Sequence, residues 1–99
     1  MFLARVVGTV VATQKDEKLA GGKLLICQQL DMNAQPKPAY VVAMDSVGAG
    51  QGEVVVYAAG SSARLTDRTH GLPVDTANTA IVDSLEIEGK IVYDKGASG

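Results

Sequence analysis

Hydrophobic and polar residues alternate along most of this chain with the period of two that marks half-buried strands. From Phe2 to Thr13, one face holds Phe2, Ala4, Val6, Gly8, Val10 and Ala12, and the other Leu3, Arg5, Val7, Thr9, Val11 and Thr13. This predicts a long, valine-rich first strand. The charged stretch Gln14 to Gly22, ending in Gly21-Gly22, reads as an exposed connection. Lys23 to Asp31 predicts a second strand, with Leu24, Ile26 and Leu30 on one side and Leu25 and Cys27 on the other. Met32 to Pro38 carries Pro36 and Pro38 and is expected to leave the ladder. Ala39 to Ser46 predicts a third strand, and Glu53 to Ala59 a fourth that is apolar on both faces.

Gly60 ends that strand, and Ser61 to Leu65 reads as a short helical turn capped by serine. Thr66 to Thr76 is a polar loop, and Ala77 starts a partial turn behind Asp75. Alternation resumes at Thr79, with Ile81, Asp83, Leu85 and Ile87 on one face and Val82 and Ser84 opposite. Glu88-Gly89 then turns the chain into Ile91-Val92-Tyr93, which leaves residues 1–94 as one domain and 95–99 as a loose tail.

Five or six short strands with almost no helix predict an all-β fold, a small closed barrel, because closure protects the edges of so small a sheet. The second faces are unusually apolar. Leu3, Val7, Val11, Leu25, Cys27, Val41 and Val55 crowd the side opposite the core that alternation suggests, and exposed apolar area of that extent marks a subunit interface. A homo-oligomer of small barrels follows.

The stretch Met44 to Arg64 organises the rest: a strand end, a turn in which Gly48, Gly50 and Gly52 alternate with Ala49 and Gln51, an apolar strand, and a second small-residue turn. A glycine turn of this kind permits close backbone approach. A dinucleotide fingerprint would need a glycine where Glu53 stands and a helix where Val54-Val55-Val56-Tyr57 follows, and no Gly-Lys-Ser/Thr phosphate loop occurs. The turn therefore reads as structural.

Composition narrows the function further. Net charge is −2, and the nine lysines and arginines are scattered, so the footprint of a nucleic-acid or anionic-membrane binder is missing. Phe2, Tyr40, Tyr57 and Tyr93 offer little for base stacking, which disfavours the competing reading of an OB-like barrel that binds oligonucleotides. Cys27 has no partner for an internal disulfide, which points to a reducing cytoplasm. The N-terminal apolar run lacks a preceding basic region and is interrupted at Arg5 and Gly8, unlike a signal peptide, and no run approaches the ~20 residues of a membrane helix.

Catalysis would draw on Ser61 or Ser62, His70 and one of Asp67, Asp75 or Asp83, but Gly60-Ser61-Ser62-Ala63-Arg64 lacks the second glycine of a nucleophile elbow. One cysteine and one histidine cannot complete a structural zinc site. No enzyme activity, metal or cofactor is expected. Arg64 can make a forked contact to a carboxylate or carbonyl.

Taken together, Ala4-Arg5-Val6-Val7-Gly8, Lys23-Leu24-Leu25-Ile26, Asp45-Ser46-Val47-Gly48-Ala49-Gly50 with Gly52-Glu53, Gly60-Ser61-Ser62-Ala63-Arg64, Pro73-Val74-Asp75 and Ile81-Val82-Asp83 resemble the EutN/CcmL family of pentameric vertex proteins of bacterial microcompartment shells. The resemblance covers all but the tail, and departs mainly at Gln35 to Pro38 and Leu65 to Leu72. It implies a five-stranded barrel similar to the OB-fold, assembled as a cyclic homopentamer with a narrow axial opening. It also implies a structural role at shell vertices in the cytoplasm, beside hexameric shell proteins. On this resemblance Asp45, Ser46, Val47, Gly48, Ala49, Gly50 and Gly52 are candidates for the region near the axis, Glu53 and Arg64 for bonds within or between subunits, and Gly60, Ser61, Ser62 and Ala63 for the second motif turn.

Overall fold

The computed structural model describes residues 1–12, 22–66, 69–70 and 75–96. Five strands close a barrel: β1 (Phe2–Val10), β2 (Leu24–Leu30), β3 (Pro36–Asp45), β4 (Val54–Ala59) and β5 (Thr76–Ile81), in the spatial order β1-β2-β3-β5-β4 with β4 returning to β1. Neighbours run antiparallel except for a short parallel contact between β3 and β5, where Met44 faces Ala77 and Asp45 faces Asn78. A 3₁₀ helix, Gly60–Arg64, links β4 to β5. β6 (Ser84–Ile87) and β7 (Lys90–Asp94) form a separate hairpin. Its two-residue turn has Glu88 at φ 50° and Gly89 at φ 81°, the left-handed pair that matches the twist of flanking strands.

A barrel of so few strands has a narrow interior filled by side chains. Ala4, Val6, Leu25, Cys27, Ala43, Ala49, Val55 and Tyr57 fill it, with Val41, Val47 and Ile81 packed against them. Burial pushes the Cys27 thiol pKa up, with the adjacent Asn78 amide opposing. Burial likewise raises that of Tyr57, against the hydrogen bond donated by Gln29 Nε2 to its hydroxyl at 2.7 Å. A second cluster lies on the outer wall, where Leu3, Leu30 and Val54 meet Val82 and Tyr93, with Ala34, Val56 and Leu85 beside them.

The closed barrel matches the expectation, but several details differ. On β2, β3 and β4 the core face is the one that alternation had placed outside: Leu25, Cys27 and Val55 are buried in the barrel, and Val41 packs on the same cluster. Where both faces are apolar, periodicity separates them without saying which turns inward. β3 starts at Pro36, three residues earlier than expected. Here β3 has β2 on one side only, and the ladder is irregular between Gln28 and Leu30, so the missing proline N–H groups cost little. Ala77 belongs to β5 and not to a turn, and the strand expected from Thr79 to Ile87 breaks at Val82-Asp83 into β5 and β6. Lys95 and Gly96, assigned to a loose tail, are tied down: Lys95 N–H donates to Asp83 O at 2.9 Å and Gly96 N–H to Asp94 Oδ1 at 3.0 Å. Of the expected connection Gln14 to Gly22, only Gly22 is among the described residues.

Candidate functional site

The loop between β3 and β4 closes one mouth of the barrel, and its geometry is set by two carboxylates of the chain itself. Asp45, buried at the end of β3, accepts the N–H of Val47 at 3.2 Å and that of Ala49 at 3.1 and 3.2 Å through its two oxygens. This is the short-range side-chain turn that aspartate favours. It drives Ala49, fully buried, into the barrel core. Gly48 sits at φ 76° and Gly52 at φ 85°, conformations that L side chains adopt at a cost. Glu53 Oε1 accepts the Gly50 N–H at 2.6 Å, and Glu53 Oε2 is paired with Lys95 Nζ. The Lys95 ammonium first, and the Gly50 N–H second, hold the Glu53 carboxyl below its usual 4.5.

Other elements tie the loop down. Gly52 N–H donates to Val6 O at 2.8 Å, and Val6 N–H to Glu53 O at 2.9 Å. Arg5 donates to Gly52 O at 2.7 Å and also lies over the Tyr93 ring at 5.8 Å. Lys23 Nζ reaches Ala49 O at 3.3 Å. Ser46 Oγ donates to Asn78 O, while the buried Asn78 amide, beside the Cys27 thiol, makes no full hydrogen bond.

This arrangement decides what the glycine loop can do. An anion cradle requires free N–H groups. Here those of Val47, Ala49 and Gly50 are engaged by Asp45 and Glu53, and two carboxylates occupy the place a phosphate would need. The outward parts of the loop are Gly48, Gln51 and Gly52; nothing lies within 4 Å of where a Cβ would stand on either Gly48 or Gly52.

The second motif turn lies at the other end of β4. Gly60, at φ 69°, donates its N–H to Asp75 O at 2.7 Å, and Ala63 is buried with its carbonyl accepting from Thr69 Oγ1. Ser61 and Arg64 are exposed on this helix, and His70 closes the turn that starts at Thr66. A six-residue strand rising ~3.3 Å per residue puts roughly 20 Å between Glu53 and Arg64, so the two do not share a site. Asp67, Gly71 and Pro73 lie outside the described residues. Among the described residues, no three His, Cys, Asp or Glu side chains gather at metal-binding distance, and no helix is long and apolar enough to cross a membrane.

Sequence reasoning did not assign the loop-forming roles of Asp45, Arg5 and Lys95. An aspartate followed by small residues is a legible turn signal, whereas Arg5 and Lys95 act over 47 and 42 residues and leave no local trace.

Comparison with known proteins agrees with this geometry. Residues 1–83 match the family model described as ethanolamine utilisation protein EutN/carboxysome. The chain is 45% identical over 95 residues to the carboxysome shell vertex protein CcmL of Synechococcus elongatus, covering 96% of each. It is similar in structure to CcmL of Gloeobacter violaceus, with a TM-score of 0.92, 40% identity and coverage of 97% and 99%. It is likewise similar to GrpN of Rhodospirillum rubrum, a pentameric microcompartment shell protein, with a TM-score of 0.80, 44% identity and coverage of 88% and 99%.

Proposed function

The chain belongs to the EutN/CcmL family, and from that premise we propose that it is a shell vertex protein, a homopentamer that closes the five-fold corners of a bacterial microcompartment in the cytoplasm. The observation that carries this reading is the match, over nearly the whole chain, to a structure described as a pentameric shell protein. The physical logic is geometric. A layer of hexagonal tiles is flat, and replacing a six-fold tile by a five-fold one removes a sector and forces curvature. The protein's work is to be a rigid five-fold wedge, which suits a barrel whose interior is packed and whose mouth is sealed by Ala49.

Hexameric shell proteins are the partners at its outer rim, and the outward loop atoms of Gly48, Gln51 and Gly52 face the five-fold axis. Two glycines with open space beside them favour that placement, since five copies of one loop meet there. Asp45 and Ala49, buried within the subunit, shape this loop from behind and do not line the axis.

Absolute mass in solution is the direct test. Five chains of 10.2 kDa give about 51 kDa. A monomer or dimer persisting at high concentration would overturn the proposal. Co-expression with a hexameric shell protein extends the test: closed polyhedral particles are expected with this chain, and open sheets or tubes without it.

A further inference from the structure

The glycine loop is fastened in two halves. Asp45 holds the first by accepting the N–H groups of Val47 and Ala49, and this carboxylate belongs to the loop's own stem. The second half, Gly50 to Glu53, depends on side chains that are steadied elsewhere. Glu53 N–H donates to Gly50 O at 3.2 Å and Glu53 Oε1 accepts the Gly50 N–H, which closes a tight turn, while Arg5 Nη1 donates to Gly52 O.

Both Glu53 and Arg5 are backed by one short segment at the end of β7. Lys95 Nζ pairs with the second oxygen of Glu53, and the Tyr93 ring lies 5.8 Å beneath the Arg5 guanidinium. Tyr93 and Lys95 are two positions apart, the spacing that puts side chains on one face of an extended chain. The segment is itself fixed to the barrel. Tyr93 is buried in the outer-wall cluster, Lys95 N–H donates to Asp83 O, and Val82 N–H donates to Val54 O, next to Glu53.

A carboxylate that bridges an N–H and an ammonium is oriented by both. With the ammonium gone, its second oxygen turns to water and the side chain regains rotamer freedom, so the Gly50 N–H loses a fixed acceptor. The Arg5 guanidinium is steadied in the same way by the ring face below it. Each contact is weak at an exposed site, so its loss appears as local opening and not as global unfolding. We propose that Tyr93 to Lys95 is a strap, which holds the Gly50–Glu53 half of the loop shut from behind through Glu53 and Arg5 and couples the end of β7 to the loop's outward tip. On the reading that Gly48, Gln51 and Gly52 face the five-fold axis, this strap sets how firmly the axial opening keeps its shape. The half held by Asp45 lies outside its reach.

Amide hydrogen exchange of the full chain, resolved by residue near neutral pH, tests this. Lys95→Met keeps the length of an exposed side chain and removes the ammonium; lying 42 residues from Glu53, it leaves the intrinsic exchange rates of the loop untouched. Exchange of the Gly50 amide is expected to rise about three-fold, while that of Ala49, held by Asp45, stays at the parent rate. Lys95→Arg should restore Gly50 protection. Tyr93→Leu keeps an apolar side chain in the cluster and removes the ring beneath Arg5, so the Gly52 amide should exchange faster with Ala49 again unchanged. Sodium chloride at about 0.5 M should bring Gly50 of the parent towards the rate of Lys95→Met and leave the variant where it is. Unchanged Gly50 exchange in Lys95→Met, unchanged Gly52 exchange in Tyr93→Leu, or a rise shared equally by Ala49 overturns the strap. Mass measured on the same samples tests the ring separately: a parent that is not pentameric refutes the axial placement of the loop, and the strap still stands or falls on the exchange rates.

Discussion

The glycine loop and the β6–β7 hairpin are both turns on strands of one small barrel, yet they are finished in opposite ways. The loop is completed from within. Its N–H groups end on Asp45 and Glu53, its central alanine lies in the core, and Arg5, Lys23 and Val6 bind its backbone. The hairpin is completed only as far as Tyr93, and its tip offers isoleucines to water. The lesson is that small residues in a motif do not by themselves mark a contact between chains. Surface apolar residues without an internal partner mark it better.

The sharpest way to break this contrast is at the hairpin base. Tyr93→Ala removes the ring shared by the outer-wall cluster and Arg5, and is expected to cost about 3 kcal/mol. Thermal unfolding should show it as a Tm lower by well over 10 °C. An unchanged Tm would mean that the hairpin is not anchored there. Asp45→Ala comes next, at about 2 kcal/mol, because it leaves the buried Ala49 N–H without an acceptor. If the loop is self-sufficient, the loss appears in denaturant unfolding of the dissociated subunit as well as in the pentamer. A loss seen only in the assembled form would show that neighbours hold the loop.

Gly52→Asn carries a smaller stability effect, below about 1 kcal/mol, since asparagine tolerates the left-handed backbone and open space surrounds the site. The informative measurement is mass: loss of the pentamer with an unchanged subunit melt would place Gly52 against neighbouring copies, and a retained pentamer would move the loop away from the axis.

The smallest effect concerns pH. The Glu53 carboxyl is held below 4.5, so its contribution is present above that value and fades as pH falls through the lowered one. Lys95 is raised above 10.5, chiefly by Glu53, so its contribution is present below 10.5 and fades as pH rises through the raised value. Between these limits, exchange of the Lys95 amide should be flat with pH after correction for the intrinsic rate, rising below the acid limit. Glu53→Gln should abolish that acid limb. The pair is exposed, so added salt should shrink the effect.

Much of this was legible in the chain. Alternation located β1, β2 and β4, and the glycines located the loop. The failures have physical causes. Leu24-Leu25-Ile26-Cys27 is apolar at every position, so its pattern is symmetrical and the inner face depends on closure of the barrel. Ile81, Asp83, Leu85 and Ile87 keep their spacing across Val82-Asp83, so periodicity runs straight through the point where the chain leaves the barrel for the hairpin. The start of β5 at Thr76 was hidden because Thr76-Ala77-Asn78 is polar and small, although Ala77 and Asn78 are fully buried. The motif identified the loop but not what fastens it, because Arg5 and Lys95 reach it through the fold.

Cys27 is sealed inside the barrel and its thiol is pushed up by burial, and since only the thiolate reacts readily, the protein comes with its native sulfur silenced. A cysteine placed at the exposed tip of the β6–β7 hairpin would be the single fast target for maleimide dyes. Ring closure could then be followed by energy transfer between labelled copies, with no need to remove the natural residue first.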